Sequence, residues 1–458
     1  MRTYSIVSFI IIFIFFFAAC QRPELIEGDN SEFLSGGKQT VFTEGMGAFS
    51  QAFPKMNGVE EALHEEGDKG FSVQFVSYPS TVSPGLGPIF NNNACVSCHI
   101  NDGRGKPPEP GEQMKSILFR LSVPGNDEHG GPMPAPGYGG QLQPLCVYGS
   151  QAEAGIQFTY SERNLTGADT NYRLRYPQYT LTNPYTLVPA GMMMSPRIAP
   201  PMHGLGLLEA IPDEAILANA DQGDANGDGI SGKPNYVWDI KQGRMSIGRF
   251  GWKSGQPTLL QQTAGAYNED MGITSYLMEK ESCREQSQYK PGFYGTSYEV
   301  KDSILFATAF YVKTLAVPAR RNVNDIEVKR GKQVFMQAKC GTCHVPTFQT
   351  RVDITSPSTS NQTIHPYTDL LVHDMGEDLA DHRPDYSADG REWRTPPLWG
   401  IGLTKTVNGH NFFMHDGRAR SLFEAVMWHG GEASGARHYV EQLNRTDRSA
   451  LLKFLESL

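Results

Sequence analysis

The chain has no positive charge to spare: 40 Lys and Arg stand against 49 Asp and Glu, a formal net charge of −9. Nucleic acid is thereby excluded as a partner, because phosphate binding calls for a basic surface; a small soluble partner with a basic face is not. Long apolar runs are also missing. The one pronounced run, Ile6 to Phe17, falls short of the about 20 residues that a bilayer-spanning helix needs. There is no low-complexity tract and no internal repeat beyond two short motifs. Cysteine is scarce, at 7 in 458 residues, as is histidine, at 12, so their clustering carries information. What the chain does have is 48 Gly and 30 Pro, which predict many turns and long irregular connections rather than a bundle of long helices. Its length predicts two or three domains with ample material for buried cores.

Cysteine and histidine meet in two pentamers, Cys95-Val-Ser-Cys98-His99 and Cys340-Gly-Thr-Cys343-His344. From the chain's own composition chance supplies about 0.003 such pentamers. Two thiols at this spacing can add to the two vinyl groups of one porphyrin, and the next residue then lies under the ring, where its imidazole can bind iron. Zinc would need each motif to recruit further ligands in the correct geometry. A dithiol redox pair requires neither the histidine nor a second copy. The expectation is therefore two covalently bound haem c groups, anchored by Cys95, Cys98, Cys340 and Cys343, with His99 and His344 as iron ligands.

The N-terminal twenty residues carry Arg2, the apolar run and then Ala18 and Ala19 before Cys20. This looks like a bacterial lipoprotein signal, with Cys20 lipidated and Phe17 standing where such signals usually have Leu; a cleaved soluble export signal is the alternative. Either places the chain in the cell envelope, where c-type haem is attached and disulfides persist. Gln21, rather than Asp, after the cysteine resembles the sorting signal for the outer membrane, facing the periplasm. The expected organisation is a signal over 1–20, a polar tether over 21–45, a first haem domain with insertions over 46–320 and a second over 321–458.

Other stretches invite assignment. The segment before Cys340 sets Val328, Phe335 and Met336 on one face of an amphipathic helix leading into the second motif. Asp224, Asn226 and Asp228 alternate as oxygen ligands of a calcium loop do, but Asn235 stands where an EF-hand has Glu, and an ordinary Asx-rich turn is the alternative. Cys146 and Cys283 can pair or remain buried thiols. Met192, Met193 and Met194 read as packing.

The stretch WRTPPLWGIGLTKTVNGHNFFMHDGRARSLFEAVMWHGG, from Trp393 to Gly431, taken with the paired motifs, resembles the bacterial di-haem cytochrome c peroxidase superfamily, and most closely its di-haem oxidoreductase branch. GLGPIFNNNACVSCHINDGRG, SPRIAPPMHGLGLLEAIP and GRFGWKSGQPTLLQQTAGAYNEDMGITS support the resemblance, which covers nearly the whole chain after the leader. It implies a mainly α fold with extensive coil, built as two cytochrome-c-like domains. The N-terminal haem would meet peroxide or another oxidant, and the C-terminal haem would relay electrons from a small redox protein or a quinol-linked donor.

The resemblance also implies particular residues. A histidine that can close the first iron in the family corresponds here to Lys115, so the site is open or is closed by another residue, such as Met114 or His129. The family's catalytic Gln and Glu, ten residues apart, fall on Gln143 and Glu153, although Val147 replaces an intervening Pro. The second ligand of the second iron lies fourteen residues after the histidine of the HDG triplet; from His415 this is His429. Ser421 and Glu424 read as a capping box, Leu422 to Trp428 as an apolar helix ended by Gly430. Met427 is the rival ligand, but about 200° of helical rotation separates the two side chains. Non-enzymatic electron transfer through two closed irons is the alternative function, and oxidative modification of a partner protein would share the same haems.

Overall fold

A computed structural model describes residues 30–168, 170–289 and 298–458. The expected signal over 1–20, including Cys20, and the first part of the tether lie outside them. Among the described residues no helix is long and apolar enough to cross a membrane.

The fold is mixed. Helix makes up 28% and strand 19%, with seven small two-stranded sheets and eleven α-helices among the described residues. This corrects the expectation of a mainly α chain of two cytochrome-c-like domains. The strands concerned are β1 (Thr40–Val41), β2 (Ile117–Ser122), β3 (Gly155–Thr166), β4 (Asn171–Thr182), β5 (Met193–Ile198) and β6 (Val317–Pro318). Strands β3 and β4 form a twelve-pair antiparallel hairpin from Gly155↔Thr182 to Thr166↔Asn171. Its sequence is rich in Thr and Tyr, with Phe158 and Leu174 turned inward, the chemistry of a pleated and half-buried surface. Strand β2 pairs antiparallel with β5, which carries Met193 and Met194, and β1 pairs in parallel with β6 across 277 residues of sequence from Thr40 to Val317.

Six helices position the two motifs: α1 (Gly58–Ser72), α2 (Leu259–Met271), α3 (Asp302–Lys313), α4 (Ile326–Gln337), α5 (Leu422–Met427) and α6 (Arg445–Ser457). Several of the starts carry a side-chain cap. Asn57 and Glu60 form a reciprocal capping box on α1, Asp325 accepts from Glu327 and Val328 on α4, and Asn444 accepts from Asp447 on α6. On α4 Val328, Val334 and Phe335 are buried, whereas Met336 is exposed rather than part of the inward face.

The same arrangement occurs twice. Helix α1 crosses α3 at Gly67, where a Cβ would run into the Ala307 carbonyl, and α4 crosses α6 at Gly331, where a Cβ would run into that of Ala450. Four residues on from each glycine a phenylalanine turns toward the motif histidine: Phe71 to His99 at 6.1 Å and 51°, Phe335 to His344 at 6.3 Å and 55°. Four residues on from each alanine an aromatic ring meets that phenylalanine, Tyr311 on Phe71 and Phe454 on Phe335, both at 5.2 Å. The repeat is thus wider than the pentamers. The largest core does not divide at residue 320: Phe119, Leu142 and Ile198 belong to the same cluster as Trp428 and Phe454.

Candidate functional site

Cys95–Cys98 form one helical turn, and the chain leading into it is pinned to α2, because the Asn91 and Asn92 amides donate to the Asp270 carbonyl at 2.8 and 3.3 Å. His99 Nδ1 lies 2.9 Å from the Pro200 carbonyl. A carbonyl only accepts, so Nδ1 carries the proton and Nε2 keeps the lone pair, the tautomer a metal ligand needs. Burial pulls the imidazole down to about 4, with the Pro200 carbonyl opposing the shift. Burial likewise pushes the Cys95 and Cys98 thiols up to about 12, with Asp270 adding to the shift of both.

A cavity of about 640 Å³ opens against this motif, within the range of small-molecule sites. Cys95, Cys98 and His99 line it, together with Arg104, Arg394 and Asp270. Arg104 is buried, its Nε has no hydrogen-bond partner among the described residues, and burial lowers its pKa to about 10. Burial does the same to Arg394, only partly offset by Asp369. Buried guanidiniums short of counter-charge, beside two thiols and a lone-pair imidazole, fit a group that brings both vinyl edges and carboxylates.

At the second motif His344 Nδ1 is 2.9 Å from the Tyr367 carbonyl, and His429 Nδ1 is 2.8 Å from that of Ala425. Both imidazoles therefore keep Nε2 as the lone-pair nitrogen. They are near enough to interact: burial first, then Tyr367 opposing and His429 assisting, leaves His344 at about 3, and burial also lowers His429. Met427 is fully buried in the core, with His429 half-buried two residues on. The Ser421 side chain accepts from the Glu424 amide, but Glu424 reaches back to the Arg420 amide, and α5 stops at Met427 with Gly430 extended rather than left-handed. Two thiols and two neighbouring lone-pair imidazoles fit an iron porphyrin with two histidine ligands at this second site.

Gln143 and Glu153 are brought together but stand one layer behind the cavity. Both Glu153 oxygens are occupied, by the Gln143 amide and by Gln286 Nε2, each at 2.6 Å, and burial raises its carboxyl to about 8. Gln143 Nε2 donates to the Glu269 carbonyl at 2.6 Å, and Glu269 does line the cavity. Lys115 and His129 are on the cavity wall; His129 is stacked on Trp238 at 4.0 Å and 3°, and Met114 packs on the core. The side chains of half-buried Asp224 and exposed Asn226 and Asp228 accept from the amides of Gly229, Asp228 and Ile230, the pattern of an Asx-rich turn. Cys146 and Cys283 are separate thiols. Asp270, which sequence reasoning passed over, carried one signal: its place in the NEDMGITS stretch that supported the resemblance.

The duplicated helix crossings and the two thiol–imidazole sites define a protein with two haem centres. A family model described as "Di-haem oxidoreductase, putative peroxidase" matches residues 31–458, and the chain belongs to this family of haem-containing oxidoreductases. Among curated proteins none matches the chain. Among solved structures, hydrazine synthase from Kuenenia stuttgartiensis, determined under xenon pressure, is similar at 14% identity and a TM-score of 0.35, over 100% of this chain and 99% of that one. At that distance neither fold nor activity transfers.

Proposed function

We propose that the chain is a c-type di-haem oxidoreductase of peroxidase type. Cys95 and Cys98 hold one haem by thioether bonds, Cys340 and Cys343 the other. His99 and His344 bind the irons from one side. His429 closes the second centre, and the first keeps a face for peroxide or another oxidant. Bound there, the haem supplies the redox chemistry; the chain's residues orient the oxidant, exclude water and move protons. The second centre passes electrons inward from a small redox protein or a quinol-linked donor, in the cell envelope, with Cys20 as the lipid anchor.

The observation that carries this reading is the difference between the two centres: His99 lies on a cavity of about 640 Å³, whereas at the second motif the His429 imidazole is near enough to His344 to lower its pKa further. The test is the spectrum of the purified di-haem protein before and after peroxide. One high-spin and one low-spin ferric haem, the former changed by peroxide, is expected. Two low-spin haems, inert to peroxide even after partial reduction, would establish an electron-transfer cytochrome instead.

A further inference from the structure

We infer that Asp270 is the catalytic acid–base at the first centre, moving the peroxide proton, and that Gln141 positions it. The inference rests on the peroxidase reading above. Asp270 lines the cavity that Cys95, Cys98 and His99 line. Its backbone is fixed to the motif, since its carbonyl takes the Asn91 and Asn92 amides only a few residues before Cys95. Its side chain is fixed as well: Gln141 Nε2 donates to Oδ1 at 2.7 Å and also to the Glu269 carbonyl at 3.1 Å. Among the described residues only Oδ1 is hydrogen-bonded, which leaves Oδ2 for a ligand in the cavity.

The position is a poor one for a structural carboxylate. Asp270 is the penultimate residue of α2, which ends in Gly272 at φ 67°, so its charge sits at the negative pole of the helix. Burial raises its pKa, with Arg120 and Gln141 opposing and Glu269 assisting. A group kept where stability argues against it is a candidate for chemistry. Glu153 is worse suited, because both its oxygens are engaged away from the cavity.

The step balances. Asp270 Oδ2 accepts the proton from the inner peroxide oxygen and returns it to the outer one, which leaves as water with the bonding pair of the O–O bond. One peroxide, two protons and two electrons give two waters. The protons come from solvent, and the electrons come singly from a reduced one-electron redox protein.

The experiment compares the holoprotein with Asp270→Asn, Asp270→Glu and Gln141→Leu, reading the rate of the spectral change with peroxide and the rate of cyanide binding to the ferric first haem. Hydrogen cyanide must lose its proton to bind, so the second rate reports a local base without turnover. Asp270→Asn should slow the peroxide reaction by about 10²- to 10⁴-fold and slow cyanide binding at least ~10-fold by the same argument, with haem content and the low-spin centre unchanged. Asp270→Glu should restore part of both rates. Should Asp270→Asn fail to load haem, Gln141→Leu, which keeps the carboxyl, is expected to slow both rates. Wild-type rates in Asp270→Asn, or in Gln141→Leu where that variant must stand in, would overturn the assignment while leaving the peroxidase reading intact. A wild type inert to peroxide would sink that reading, and the cyanide comparison would still decide whether Asp270 is the base.

Discussion

Three histidines are held by one device, a backbone carbonyl on Nδ1, and only two of them belong to a motif that spacing alone could find. His429 was reached by counting from His415, with no local signal to separate it from Met427; burial separates them, since Met427 is spent on the core. If His429 is a ligand, His429→Met should keep the second haem low-spin and raise its potential, because a thioether stabilises the reduced iron relative to imidazole. An unchanged spectrum and potential in a redox titration would rule the assignment out. His415 itself stacks on Trp393 at 3.7 Å and 10°. Its neighbour Asp416 is buried against Arg418 at 2.9 Å. Burial alone would push the Asp416 carboxyl up, but Arg418 and His415 more than offset this and hold it well below the usual carboxylate range. The folded value is the lower one, so its stabilisation is present above the ordinary carboxylate pKa and is lost as pH falls toward the folded value. Asp416→Asn leaves Arg418 buried and unpaired and should cost about 3–5 kcal/mol in denaturant unfolding near neutral pH.

At the scale of elements, the duplicated helix crossing was present in the sequence as Gly-x-x-x-Phe, at Gly67–Phe71 and Gly331–Phe335, and went unread. The reason is spacing. Four residues separate Phe335 from Cys340, but 23 separate Phe71 from Cys95, so no fixed period joins the copies. The partner residues Ala307 and Ala450 lie at unrelated distances again, and only packing brings them to the glycines. Gly67→Ala and Gly331→Ala each force a methyl into a carbonyl on the facing helix and should each cost about 1–3 kcal/mol in unfolding experiments. Glycine at an open turn without a left-handed backbone, such as Gly223, where nothing lies within 4 Å of a Cβ, is the control for steric crowding. The hairpin was missed for a different reason: the fold class followed the family resemblance, whereas Ile156, Phe158 and Tyr160, and again Tyr172, Leu174 and Tyr176, alternate with a period of two. Its tip and flank reach the second centre, with Tyr172 bonded to Glu441 at 2.6 Å and Tyr176 against Trp428 at 4.7 Å.

At the scale of the whole molecule, what the sequence divided at residue 320 the core joins, because apolar side chains from 117–198 and 328–458 bury one another. Heat or denaturant should therefore unfold the described body in one transition seen alike by haem absorbance and far-UV dichroism; two separated transitions would show that the shared core contributes little. No linear reading could have seen this, since the contacts lie hundreds of residues apart. One of them orders events in time. Glu32, near the start of the described chain, is buried with Arg320, with Lys332 at 2.5 Å and with the Tyr367 hydroxyl at 3.0 Å, and the Tyr367 carbonyl holds His344. A chain that is made from its N-terminus onward has Glu32 in hand long before any of these partners emerges. The earliest of these residues thus cannot settle until Tyr367 has been made, which places the contact behind His344 late in folding.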